Sequence, residues 1–146
     1  MKKILVTGAN GYIGQRVVTY ALDKGYQVVA CDIKNTGIDA RAIFCEESIL
    51  SGDVDIYKKV GEPDICIHLA WQDGFSHNAE SHMMNLSKHY EFLINLINSG
   101  CENIAVMGSM HEIGYWEGKI DANTPCNPMS MYGVAKNALR QALMLK

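Results

Sequence analysis

The chain has 146 residues, enough for one domain with a real core and not comfortably for two. With 13 basic and 16 acidic residues its net charge is −3, which argues against a nucleic-acid or anionic-membrane surface. No apolar run reaches the ~18 residues of a transmembrane helix. The short run after Met1-Lys2-Lys3 enters a glycine loop, so it does not read as a secretion signal. The 5 cysteines are odd in number and contain no C-x-x-C, and Cys31 and Cys66 lie in apolar runs; reduced thiols in a cytoplasmic protein are expected.

The first apolar run, Ile4-Leu5-Val6, lies in a predicted strand Lys3–Thr7, and an amphipathic run from Tyr12 to Lys24 predicts a helix closed by Gly25. Between them stands Thr7-Gly8-Ala9-Asn10-Gly11-Tyr12-Ile13-Gly14. A glycine-rich turn joining a strand to a helix is a phosphate cradle. Gly8 permits the sharp turn, Gly11 lets backbone approach a pyrophosphate, and Gly14 lets helix and strand pack closely. The helix N-terminus then presents N–H groups and partial positive charge. The glycines read G-x-x-G-x-x-G, and Gly8, Asn10, Gly11, Tyr12, Ile13 and Gly14 are the candidate cradle residues.

Further strands are predicted at Gln27–Asp32, Ala42–Cys45, Ile65–Leu69 and Ile104–Met107. Helices are predicted at Asp53–Val60, Met83–Asn98 and from Met131 to the end, with Gly61 and Gly100 closing the first two. Strands alternating with helices argue a parallel α/β sheet covered on both faces. Asp32 ends the second strand, where a dinucleotide fold keeps the acid that accepts hydrogen bonds from the adenosine ribose. A carboxylate there repels a 2′-phosphate, so NAD is expected and NADP disfavoured. Glu47 and Ser48 both fit an adenine contact, and the choice between them stays open.

The fourth strand runs out at Leu69 and small Ala70, where a ligand crossing the carboxyl edge passes close to backbone. His68 sits in an apolar run and reads as a core histidine. The loop from Trp71 to Asn78 leaves the same edge and is the candidate substrate wall. His77 and His82 match no metal-ligand spacing, so no metal is expected.

Tyr132 and Lys136 stand at i and i+4, on one helix face. An ammonium beside a phenol favours the phenolate, the condition for a tyrosine that moves protons near neutral pH. Ser109 lies just past the fifth strand, where a hydroxyl can steady a developing oxyanion. Asn85 falls near a helix start on that edge.

In this order the motifs resemble the extended short-chain dehydrogenase/reductase family, in its NAD-dependent epimerase/dehydratase group acting on nucleotide sugars. Thr7–Gly14 looks like the family's T-G-x-x-G-x-x-G loop, and His68-Leu69-Ala70 looks like its H-x-A segment. Asn85 falls on a family asparagine, and Ser109 ahead of Gly114 matches the catalytic Ser/Thr. Tyr132 with Lys136 matches Y-x-x-x-K, preceded by a typical Pro125-x-x-Pro128. The resemblance implies a doubly wound Rossmann-like sheet, NAD as cofactor and a nucleotide-sugar substrate. It gives proton transfer to Tyr132, nicotinamide-ribose binding to Lys136, a substrate-oxygen contact to Ser109 and a supporting role to Asn85. It also implies a homodimer through the helices Met83–Asn98 and Met131–Lys146.

Two departures from the family pattern matter. The sugar dehydratases carry an Asp-Glu pair directly after the catalytic Ser/Thr; here stand Met110 and His111, with Glu112 one further on. Epimerase or 4-ketoreductase chemistry is therefore favoured over dehydration. Family members are also usually much longer, so a single dinucleotide-binding domain lacking the last strands and the small sugar-binding domain is expected. A non-catalytic dinucleotide-binding module is the competing reading, and a P-loop nucleotidase fails because no Gly-Lys-Ser/Thr follows the loop.

Overall fold

A computed structural model describes residues 1–146, which divide into two compact units. Unit one comprises residues 1–71 and 91–107; unit two comprises 72–90 and 108–146.

Unit one is built on five parallel strands: β1 (Lys3–Thr7), β2 (Gln27–Cys31), β3 (Ile43–Cys45), β4 (Ile65–His68) and β5 (Asn103–Val106). Their order is β3-β2-β1-β4-β5. The chain winds outward from β1 to β3 and returns on the other side of β1, so the direction of winding reverses there. In open α/β sheets such a switch point marks the ligand crevice at the carboxyl ends of the strands. β1 reads Lys-Ile-Leu-Val-Thr, and its last four residues are buried, as a central parallel strand demands. Ile4 and Val6 of β1 and Val28 and Ala30 of β2 form one core cluster with Val18 and Ala21 of helix α1 (Tyr12–Asp23).

Most predicted elements recur with shorter ends, and the fifth strand lies one residue earlier, at Asn103–Val106 rather than Ile104–Met107. The second strand stops at Cys31, and Asp32 begins the loop while its N–H still donates to the Cys45 carbonyl at 3.2 Å. The helix expected over Asp53–Val60 is only α2 (Ile56–Lys59). Asp53 instead turns the chain, its carboxylate accepting the Asp55 N–H at 2.8 Å and meeting Lys59 Nζ at 2.5 Å.

The helix expected over Met83–Asn98 is two helices, α3 (Ser81–Met84) and α4 (Leu86–Ser99), parted at Asn85. The start of α3 is tied to the preceding loop. Ser81 Oγ donates to Asp73 at 2.6 Å, and the buried His82 ring meets the Ser76 carbonyl at 2.9 Å. Asn85 ends α3, and its carbonyl accepts the first α4 bond, from His89 N–H at 3.0 Å. Apolar periodicity runs through both helices, so it does not register the break. Within unit one α4 buries Phe92, Leu93 and Leu96.

Unit two also carries a one-turn 3₁₀ helix, Met110–Glu112, and helix α5 (Met131–Leu143). Ser130 caps α5 by accepting the Gly133 N–H at 3.1 Å. α5 turns Gly133, Ala135, Lys136 and Leu139 inward.

Candidate active site

In unit one the glycine turn is held by contacts that only glycine allows. Gly8 adopts φ +65°, and a Cβ there would stand 2.7 Å from the Ala70 nitrogen; a Cβ on Gly14 would stand 2.1 Å from the Gly8 carbonyl oxygen. The turn is thus packed against the end of β4, and α1 starts directly on it. No side chain caps α1, whose N-cap is Gly11, and Tyr12 and Ile13 in its first turn are exposed. Backbone N–H groups at that end are open to an anion.

Asp32 stands beside this turn. Its Oδ2 accepts the Asn10 N–H at 2.9 Å and its Oδ1 the Ile33 N–H at 2.8 Å, which aims the carboxylate along the cradle. Asn10 in turn accepts the Thr36 N–H at 2.9 Å, tying in the loop after β2. Glu47 is half-buried and Ser48 exposed, its Oγ accepting the Leu50 N–H at 3.3 Å; the geometry favours neither for adenine. Cradle, uncapped helix end and carboxylate together fit a dinucleotide.

Thr7 has a role that its place in the motif does not announce. Fully buried, its hydroxyl meets His68 Nδ1 at 2.8 Å and accepts the N–H groups of Leu69 and Ala70 at 3.2 and 3.3 Å. It therefore locks β1 to the end of β4. His68 is buried and packs 5.6 Å from the Phe92 ring, a core histidine as expected.

Unit two holds Asn85, Ser109, Tyr132 and Lys136. Tyr132 and Lys136 lie one turn apart on α5, the tyrosine half-buried and the lysine 5% exposed. Burial pushes the Lys136 ammonium down to about 8, and the negative charge of Glu112 works against that shift. His89 on α4 is pushed down to about 4 by burial and, second, by Lys136.

The Tyr132 N–H donates to the His77 carbonyl at 2.9 Å. Its ring is surrounded by imidazoles: His77 stacked at 5.8 Å, His82 tilted at 5.3 Å and His111 edge-on at 5.3 Å. His77 and His111 lie 4.2 Å apart and line an open cleft of about 430 Å³ with Asn78, Tyr115 and Ser130. The loop expected to form a substrate wall thus reaches the tyrosine. No cluster of metal-binding side chains is present.

Ser109 is the N-cap of the 3₁₀ turn. Its Oγ accepts the His111 N–H at 3.2 Å, which leaves its hydroxyl proton to donate. The Asn85 amide donates to Gln72 Oε1 at 3.0 Å, bracing the loop after β4.

Sequence reasoning missed Glu112. Its Oε2 accepts the Ser109 N–H at 2.7 Å and its Oε1 the Arg140 Nε–H at 3.1 Å. A signal existed: Ser109-x-x-Glu112 is a capping box.

Fold and site together define a Rossmann-type dinucleotide-binding protein with a Ser, Tyr and Lys set. The profile of the NAD-dependent epimerase/dehydratase family matches residues 4–144, and the chain belongs to that family. It is 45% identical over 146 residues to the dTDP-6-deoxy-L-talose 4-dehydrogenase (NAD(+)) of Aggregatibacter actinomycetemcomitans, with 96% of this chain and 53% of that protein aligned. It is 29% identical over 151 residues to a putative UDP-glucose 4-epimerase of Methanocaldococcus jannaschii, covering 91% of this chain and 47% of the relative. The UDP-glucose 4-epimerase of Thermotoga maritima superposes with a TM-score of 0.82 at 24% identity, over 98% of this chain and 50% of that one. The chain spans about half the length of the curated relatives it matches.

Proposed function

We propose that this chain is the NAD-binding part of an enzyme that oxidises or reduces a nucleotide-linked hexose at C4. The observation that carries the reading is the gathering of Ser109, Tyr132 and the buried Lys136 in one unit, with Met110 and His111 where a sugar dehydratase keeps two acids. The 45% identical relative, named a 4-dehydrogenase acting with NAD(+), supports the same chemistry.

In this reading Gly8, Asn10, Gly11, Tyr12, Ile13 and Gly14 hold the pyrophosphate of NAD on the N-terminus of α1. Asp32 accepts the adenosine ribose hydroxyls, and Leu69 and Ala70 form the backbone wall beside the cofactor. NAD held there would supply the hydride acceptor or donor for the sugar carbon. Tyr132 takes the proton from the C4 hydroxyl, or returns it to the ketone. Ser109 donates its hydroxyl proton to the same oxygen. Lys136 binds the nicotinamide ribose and sets a positive charge beside the phenol. Asn85 steadies the loop after β4 through Gln72.

The test is an assay of the full-length protein with NAD and dTDP-6-deoxy-L-talose. NADH formation in step with a 4-keto sugar is expected. Accumulation of a C4 epimer without net NADH would replace the dehydrogenase reading by an epimerase. Cofactor binding with no turnover on either class of sugar would favour a non-catalytic module.

A further inference from the structure

Glu112 is 6% exposed, and a carboxylate so deeply buried persists only when paired and hydrogen-bonded. Both conditions are met. The Ser109 N–H donates to one oxygen at 2.7 Å and Arg140 Nε to the other at 3.1 Å. The Arg140 guanidinium is itself anchored, donating to Asn137 Oδ1 at 2.8 Å and meeting Cys126 Sγ at 3.2 Å. The same turn is seated on α5 from its other end. A Cβ on Gly133 would stand 2.2 Å from the His111 carbonyl oxygen, so helix and turn touch backbone to backbone. Gly133 follows Tyr132 directly. The turn that carries Ser109 is therefore pinned to the tyrosine's helix at Gly133 and at Arg140.

We propose that Glu112, locked by Arg140, is a positioning residue: its carboxylate fixes Ser109 and supplies the negative charge that balances the buried Lys136 ammonium. Neither residue belongs to the family motifs that mark the site. Glu112 stands one position past the pair that distinguishes dehydratases, and Arg140 one turn past Lys136. Its charge acts on Lys136 in opposition to burial. The other ionisable groups nearby are His89 on α4, Tyr132 and Arg140 a turn to either side on α5, and His77, His82 and His111 against the Tyr132 ring. His89 is held neutral at pH 7 by burial and by Lys136 itself. Of these, the histidines and Arg140 carry no negative charge.

The proposal rests on the catalytic reading of Ser109 and Lys136 only for turnover; its charge arm needs no substrate. On the full chain, with lysine side chains isotopically labelled and Lys136 assigned by Lys136→Met, the ammonium is titrated by NMR. Glu112→Gln keeps the shape and an acceptor for the Ser109 N–H but removes the charge. It should move the Lys136 titration down by about one pH unit, the lower end of a close-charge effect. Arg140→Gln leaves the Glu112 charge less compensated and should move it up. The downward shift in folded Glu112→Gln is what a pair that serves only to pin the turn, with its charge not felt by Lys136, does not produce. An unmoved Lys136 in folded Glu112→Gln, or shifts of the same sign in both variants, overturns the proposal. Should Glu112→Gln fail to fold, the double variant Glu112→Gln/Arg140→Gln is compared with Arg140→Gln, and a Lys136 titration no lower in the double variant overturns the proposal. If turnover is absent in every form while the two shifts appear, the catalytic reading fails and the charge balance stands.

Discussion

The Asn10 N–H donates to the Asp32 carboxylate at 2.9 Å, which ties the glycine turn to the acid proposed to hold the adenosine ribose. On the proposed role of Asp32, selectivity for NAD over NADP is expected, because its carboxylate would repel a 2′-phosphate. Calorimetric titration of the full-length protein should show tighter binding of NAD, and Asp32→Ala should narrow the preference. Tenfold tighter binding of NADP by the parent, about 1.4 kcal/mol, rules the assignment out.

Gly14 tolerates no side chain. A Cβ 2.1 Å from the Gly8 carbonyl oxygen forces α1 away from β1. Gly14→Ala should lower the melting temperature sharply, by the several kcal/mol of a backbone clash in the core. Gly25→Ala provides the contrast: a Cβ there meets nothing, and only the strain of φ +83° remains. Equal melting temperatures for the two variants would refute the close packing.

Tyr132→Phe should lower kcat of the full-length enzyme at least about 100-fold, the scale of a lost general acid or base, with NAD affinity nearly unchanged. Ser109→Ala should lower kcat without loosening NAD. Lys136→Ala should harm both. Near-normal turnover in Tyr132→Phe would reduce the tyrosine to helix packing, and His111 would be the next proton donor to test.

Stability should fall with acid. The folded His89 binds its proton near pH 4, whereas an ordinary histidine binds it near 6.5. Between these values the unfolded chain takes up a proton that the folded chain does not, so stability is lost as pH falls through this window. Lys136 adds the same sign higher up, between its ordinary 10.5 and about 8. Melting temperature against pH should therefore rise from pH 4 to 6.5, and His89→Phe should flatten that slope. An unchanged slope in the variant would remove His89 from the account.

Within unit two an apolar groove of about 370 Å³ is lined by Met83, Leu86 and Tyr90 and by Ala138 and Ala142 of α5. A second copy of the chain is the expected occupant, giving a homodimer through α4 and α5. Leu139 forms the floor of the groove, whereas Leu93 and Leu96 are buried elsewhere and do not line it. Sedimentation at tens of micromolar should show a dimer, and Ala138→Glu should shift it to monomer. A monomeric parent would count against this contact.

The local pieces of the molecule are legible in its amino acids. Thr7–Gly14 is a strand, a turn and a helix in unbroken succession, so its meaning depends on neighbours in the chain. The same holds for Tyr132 and Lys136, which one helical turn brings onto one face. The second strand, which stops at Cys31 just before Asp32, and the core place of His68 follow from short apolar runs. Contacts between distant residues are not written in any such pattern. Periodicity predicts one helix over Met83–Asn98, yet the chain forms two, parted at Asn85, the first of them tied at Ser81 and His82 to the loop before it. Nothing beside Thr7 in the chain tells that its hydroxyl joins β1 to the end of β4. Glu112 shows as the cap of a turn, but its charge has meaning only because folding buries it against Arg140 and near Lys136. Periodicity and turn chemistry act over a few residues, whereas burial, desolvation and charge pairing exist only once the chain has closed on itself.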